Sequence, residues 1–163
     1  MEKLSRSRAS AREWMSGAEP MRWRRAYPGR ADQVHVARNF VTALFEGTGR
    51  EADVAAVVSE LAANAIRHSR SGGEPGWFGM EVMLDEIAYV GVTDLGGGCV
   101  PTIRSETPNC EPRVSGYGLL TVSRLASAIG VYGSPADGFT VWAELALRRP
   151  VQAAPQESRL LAS

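Results

Sequence analysis

Two strand-like runs, residues 77–84 and 87–94, are separated only by Asp85-Glu86. So short a link forces antiparallel neighbours, because parallel strands need a crossover of about a dozen residues or more. A second pair, residues 129–133 and 139–147, is joined in the same way across Pro135-Ala136-Asp137-Gly138. Much of the sheet is thereby fixed as hairpins. Residues 21–27, ended by Pro28-Gly29, add a first edge strand.

Helical periodicity fills the intervals. Asp32 reads as an N-cap, followed by Val34, Ala37, Val41, Leu44 and Phe45 at helical spacing, with Gly47 and Gly49 as the stop. A second helix runs from about Glu51 to Ser69 and is closed by Gly72-Gly73, and a third starts near Gly118 with Leu119, Val122, Leu125 and Ala126. Helices grouped apart from hairpins predict an α+β fold: a two-layer α/β sandwich whose mixed, mostly antiparallel sheet is covered on one face by helices. The expected division is a disordered basic leader over 1–20, one domain over 21–148 and a flexible tail over 149–163.

Charge and rare residues exclude several chemistries. The formal net charge is zero, which points away from direct nucleic-acid binding, although residues 1–30 carry eight Lys/Arg against three Glu. Such a basic arm reads first as a solvated leader. Lys3 is the only lysine. The core therefore has neither a Schiff-base lysine nor a phosphate-loop lysine, and a nucleotide site must rely on backbone amides, carboxamides, arginine or metal. Cys99 and Cys110 are too few for a disulfide framework and fit no zinc spacing, so both read as free thiols in a reducing cytosol. No apolar run approaches the ~18 residues of a membrane span, and no signal peptide is evident, so the expected location is cytoplasmic.

On the second helix Val54, Val58, Leu61 and Ala65 form the core stripe, while Glu60, Asn64 and His68 stack one turn apart beside it. A polar column at the edge of a buried stripe faces the rim of the sheet. There an Asn oxygen suits Mg²⁺, and a Glu one turn away suits proton abstraction. Such columns are also common on ordinary amphipathic helices. Two glycine-rich stretches add weight. Asp94-Leu95-Gly96-Gly97-Gly98 follows a strand, where glycines permit close backbone approach to a ligand and a half-buried Asp needs a partner such as a purine amine. Gly116-Tyr117-Gly118-Leu119 opens a helix, whose free N–H groups form a phosphate seat. Thr140, at the start of the last strand, offers a hydroxyl to a base.

In this order the segments resemble the small bacterial ATP-binding domains related to anti-sigma-factor serine kinases, of the superfamily that includes gyrase and histidine kinase ATPase domains. The likeness is carried by residues 60–69, 94–98, 116–120 and 140–145 and spans about residues 21–147. It implies the histidine kinase-like ATPase fold, with ATP and Mg²⁺ as cofactors. Asn64 would hold Mg²⁺ and through it the phosphates; Glu60 would be the general base. Asp94 would accept from the adenine amine, with Gly96 and Gly98 closing on the nucleotide. Gly116, Gly118 and Leu119 would line the phosphates, Thr140 would support the adenine, and residues 95–115 would form a lid.

The implied activity is protein serine/threonine kinase transfer, with a sigma factor or an anti-sigma antagonist protein as partner. The alternative is a non-catalytic module in which ATP orders the lid and exposes a binding face. Relatives of this kind commonly form homodimers, but no exposed apolar stripe in the sequence demands one. Tyr117 stands where many relatives place a basic residue, which leaves Arg104 or Arg113 to take up the missing phosphate contact. The ATPase half of a sensor histidine kinase fits poorly, because the only other histidine, His35, lies on the first helix of the domain itself.

Overall fold

A strand at an edge needs only one apolar face, and the first strand has just that. In the computed structural model, which describes residues 21–101 and 117–147, β1 (Met21–Pro28) buries Tyr27 and leaves most of its other side chains to solvent. The remaining elements are α1 (Ala31–Leu44), α2 (Glu51–His68), β2 (Trp77–Leu84), β3 (Ile87–Thr93), α3 (Tyr117–Leu125), β4 (Ala128–Ser134) and β5 (Gly138–Ala146). A 3₁₀ turn, Arg70–Gly72, follows α2. The expected leader and tail, and most of the expected lid, lie outside the described residues.

The sheet order is β1-β2-β3-β5-β4, and all four pairings are antiparallel. The α+β sandwich read from the sequence is present, and its sheet is antiparallel throughout the described strands. Both short links form hairpins: β2–β3 turns at Asp85-Glu86, and β4–β5 turns over residues 135–137.

Strand alternation decides which face meets the helices. Phe78, Met80 and Val82 of β2, Ala88, Val90 and Val92 of β3, and Val141, Ala143 and Leu145 of β5 are buried in one core with α2. Each buried Phe, Met, Val or Leu among them contributes roughly 1.5–3 kcal/mol, so the alternation fixes the register firmly. Helix α2 lies across β2, β3 and β5, α1 packs on α2 and β1, and α3 packs on α2 beside β4 and β5. The opposite face carries Glu81, Met83, Tyr89, Trp142 and Glu144, with the Tyr89 and Trp142 rings stacked at 6.1 Å. Glu81 there pairs with both Arg22 and Arg24 of β1.

The start of α1 differs from its sequence reading. Arg30, not Asp32, is the N-cap, and no side chain caps the helix. Asp32 sits in the first turn, where its carboxylate takes both Arg30 Nε and Nη2 at 3.0 Å. A fork held by a guanidinium and a neighbouring Gln33 amide holds the acid well below the usual carboxylate range. The bidentate pair outcompetes the single cap bond that Asp32 was expected to make. At the other end Gly47 and Gly49 adopt positive φ, as a helix stop requires.

Among the described residues no helix is long and apolar enough to cross a membrane.

Candidate functional site

Helix α2 sets the geometry. Its buried residues are Val54, Val57, Val58, Leu61, Ala62, Asn64 and Ala65. Asn64 is the only polar member and is 9% exposed. Glu60, one turn before it, is half-buried, and His68, one turn after it, is exposed.

Both ends of this column meet a glycine. The Glu60 carboxylate occupies the space that a Cβ on Gly118 would need, and the main-chain carbonyl of His68 does the same to Gly98. Helix α3 reaches Glu60 because it runs antiparallel to α2. Its last turn is tied to the start of α2 by Arg50 Nη2, which donates to the Leu125 carbonyl at 3.0 Å while Nη1 holds Asp53 at 2.7 Å. The first turn of α3 thus falls on Glu60. Gly118 and the buried Leu119 belong to that turn; Gly116 lies outside the described residues.

The stretch 94–98 is fixed from three sides. Asp94, 8% exposed, accepts at Oδ1 from the amides of Gly96 (2.6 Å) and Phe139 (3.0 Å). Its Oδ2 has no partner among the described residues. Gly96 has φ +67° and packs against the Pro135 carbonyl, where a side chain has no room. Arg70 supplies the third tie. Its backbone N–H donates to Gly96 O (2.8 Å), Nε and Nη2 donate to Leu95 O (3.1 and 2.8 Å), and Nη2 also reaches Ala136 O (3.1 Å). The buried Ser71 hydroxyl accepts from Leu95 N–H at 3.0 Å. Arg70 was not singled out in the sequence; its place two residues beyond the end of α2 was the available signal.

Thr140 stands apart. It pairs with Thr93, and their hydroxyls lie 2.8 Å from each other. Strand alternation places both on the sheet face opposite α2, whereas the neighbouring Val92 and Val141 face the helices. The structure therefore brings Glu60, Asn64, Asp94, Gly96, Gly98, Gly118 and Leu119 to the α2 side and leaves Thr140 off it.

A groove of about 470 Å³ reaches the column at Glu60. It runs between α1 and α2, with His35 and Arg38 on one wall and Ser59, Glu60, Ala63 and Arg67 on the other. Glu60 therefore touches both the groove and the first turn of α3.

The donor set suits a metal that arrives with its own ligands. No cluster of three or more His, Cys, Asp or Glu able to hold a cation exists among the described residues. The Asn64 carboxamide offers one neutral oxygen, which fits Mg²⁺ bound chiefly by phosphate and water.

No protein-family model matches this chain, and no curated protein matches it. Among solved structures it is similar to a chain of the crystal structure of the SiaB–SiaC complex from Pseudomonas aeruginosa. The two share 18% identity with a TM-score of 0.48, over 82% of this chain and 94% of that one. A likeness of that size assigns no role to any residue.

Proposed function

We propose that this protein binds Mg-ATP and transfers its γ-phosphoryl group to a serine or threonine hydroxyl of a partner protein, as a regulatory switch. One observation carries the reading: the polar column of α2, with the largely buried Asn64 at its centre, is met at both ends by glycines from two separate motifs. A polar column that were merely solvated surface would have neither a buried amide at its centre nor bare backbone against it.

The residues then take distinct tasks. Asn64 would hold Mg²⁺, which would supply charge neutralisation at the phosphates when bound. The first turn of α3 turns its free N–H groups and positive dipole end toward them. Asp94, its Oδ1 already fixed by two backbone amides, keeps Oδ2 for the adenine amine. The acceptor hydroxyl oxygen attacks the γ-phosphorus as the bond to the β,γ-bridging oxygen breaks. ADP leaves with the electron pair, and Glu60 takes the hydroxyl proton. A sigma factor or an anti-sigma antagonist is the partner class in this reading, and a homodimer its assembly.

A non-catalytic reading has its own observation. The Glu60 carboxylate rests against the first turn of α3, where a negative charge is stabilised without any chemistry. Calorimetry with Mg-ATP, followed by incubation with γ-labelled ATP and candidate partners, separates the two. The kinase reading expects binding in wild type and Glu60→Gln, none in Asn64→Ala, and label on a partner with wild type only. Binding without label on any partner favours the module; no heat with wild type removes both.

A further inference from the structure

Glu60 has two neighbours, and the proposed nucleotide site uses only one. Besides meeting Gly118, Glu60 lines the groove between α1 and α2. Its α1 wall is the row Ala31, Val34, His35 and Arg38; its α2 wall includes Glu60, Ala63 and Arg67. These spacings place each row along one helix face. The floor is apolar and small, and the rim is basic. Arg38 and Arg67 are exposed, and neither pairs with a carboxylate among the described residues. Arg38 Nη2 instead donates to His35 Nδ1 at 3.0 Å, which sets its guanidinium along the rim. Among the described residues Glu60 is the only carboxylate lining the groove.

We infer that this groove holds the acceptor segment of the partner: an extended serine- or threonine-bearing stretch with acidic residues beside the hydroxyl. The inference rests on the kinase reading above and adds to it the substrate class and the side of approach. The charge pattern selects the occupant. Two unpaired guanidinium groups attract carboxylates, and a basic segment is repelled. The single carboxylate marks where the hydroxyl must sit, since it alone lies between groove and α3. A volume of about 470 Å³ falls within the range of pockets that enclose a small ligand. It suits a few residues of an extended chain better than a docked domain.

The test uses the full chain and three fluorescein-labelled peptides with a central serine flanked by Glu/Asp, by Gln/Asn or by Arg. Anisotropy gives binding in saturating Mg-ATP, and γ-labelled ATP gives transfer. The acidic peptide is expected to bind roughly tenfold more tightly than the neutral one, the scale of two exposed ion pairs. The Arg38→Ala/Arg67→Ala variant should lose that preference while its heat of Mg-ATP binding stays unchanged. Equal binding of the three peptides overturns the inference, as does a preference that survives in the double variant. A single-stranded oligonucleotide that binds at these arginines while the peptides do not also overturns it. If wild type binds the acidic peptide through both arginines but gives no heat with Mg-ATP, the groove stands and the nucleotide reading falls. If Mg-ATP binds and the acidic preference is absent, the groove alone falls.

Discussion

Glu60 and Gly118 meet where the middle of α2 passes the first turn of α3, and the carboxylate fills the volume that any Cβ at position 118 would take. The contact joins two motifs far apart in sequence. It also separates stability from function, because the group that would have to move is the far end of a flexible side chain.

Gly118→Ala should therefore leave stability unchanged or raise it. Alanine gains about 1 kcal/mol of helix propensity over glycine, and the carboxylate can swing aside. Transfer from ATP should drop by at least about tenfold, since a displacement near 1 Å in a positioned group costs up to about 10²-fold. Urea unfolding and γ-labelled transfer, read on the same preparation, check both halves. A variant that transfers at the normal rate would remove Glu60 from the site.

Asn64→Leu should stabilise the fold. The substitution replaces a carboxamide in the buried stripe of α2 with an apolar side chain of similar size and a better helix former, a gain of about 0.5 kcal/mol. The same change should abolish the heat of Mg-ATP binding. Gain of stability with loss of ligand is the signature of a residue kept for binding and not for folding.

Arg70→Ala removes three side-chain hydrogen bonds, from Nε and Nη2, that hold Leu95 and Ala136. Arg70 is exposed, so the expected loss of stability is modest, about 1 kcal/mol. The sharper effect should be local. The Gly97 amide, which donates to Pro135 O at 2.8 Å, should exchange with deuterium faster in the variant while amides in β3 keep their protection. Arg70→Lys should not rescue it, because one ammonium cannot reproduce the fork.

Alkaline pH should destabilise the protein through Tyr89. Burial, then the hydrogen bond to Tyr132, raises its hydroxyl well above the ordinary value. Tyr27 is raised too, by burial. A raised folded value means that the contribution is complete below the unfolded tyrosine value of about 10 and is lost as pH rises above it. Denaturant midpoints measured from pH 8 to 11 should fall above about pH 10, and Tyr89→Phe should flatten that fall.

The sequence made the architecture legible where the periodicities are long. The eighteen-residue α2 and the two hairpins stand within a residue or two of where their apolar patterns put them. The Glu60-Asn64-His68 column was legible too, although not the full burial of Asn64, which depends on what packs above the helix. Local competition was harder to read. Asp32 has the chemistry of an N-cap, yet a guanidinium two residues away claims its carboxylate. Thr140 shows a parity that could have been counted: Val141, Ala143 and Leu145 define the core side of β5 and leave Thr140 on the other. The clamp by Arg70 and the basic groove between α1 and α2 come from pairings over long sequence separations, which no local pattern announces.

The two borders of the sheet are unlike. β1 carries Arg22, Arg24 and Arg25, whereas β4 reads Ala-Ile-Gly-Val-Tyr-Gly-Ser and bears no charge at all. Arginines along a border discourage a foreign strand from annealing there; an uncharged border offers its open amides and carbonyls without that deterrent. Any strand that joins this sheet from outside, whether from a peptide or from a misfolded neighbour, therefore meets less resistance alongside β4, and a lysine placed at an outward position of that strand is the economical way to close it.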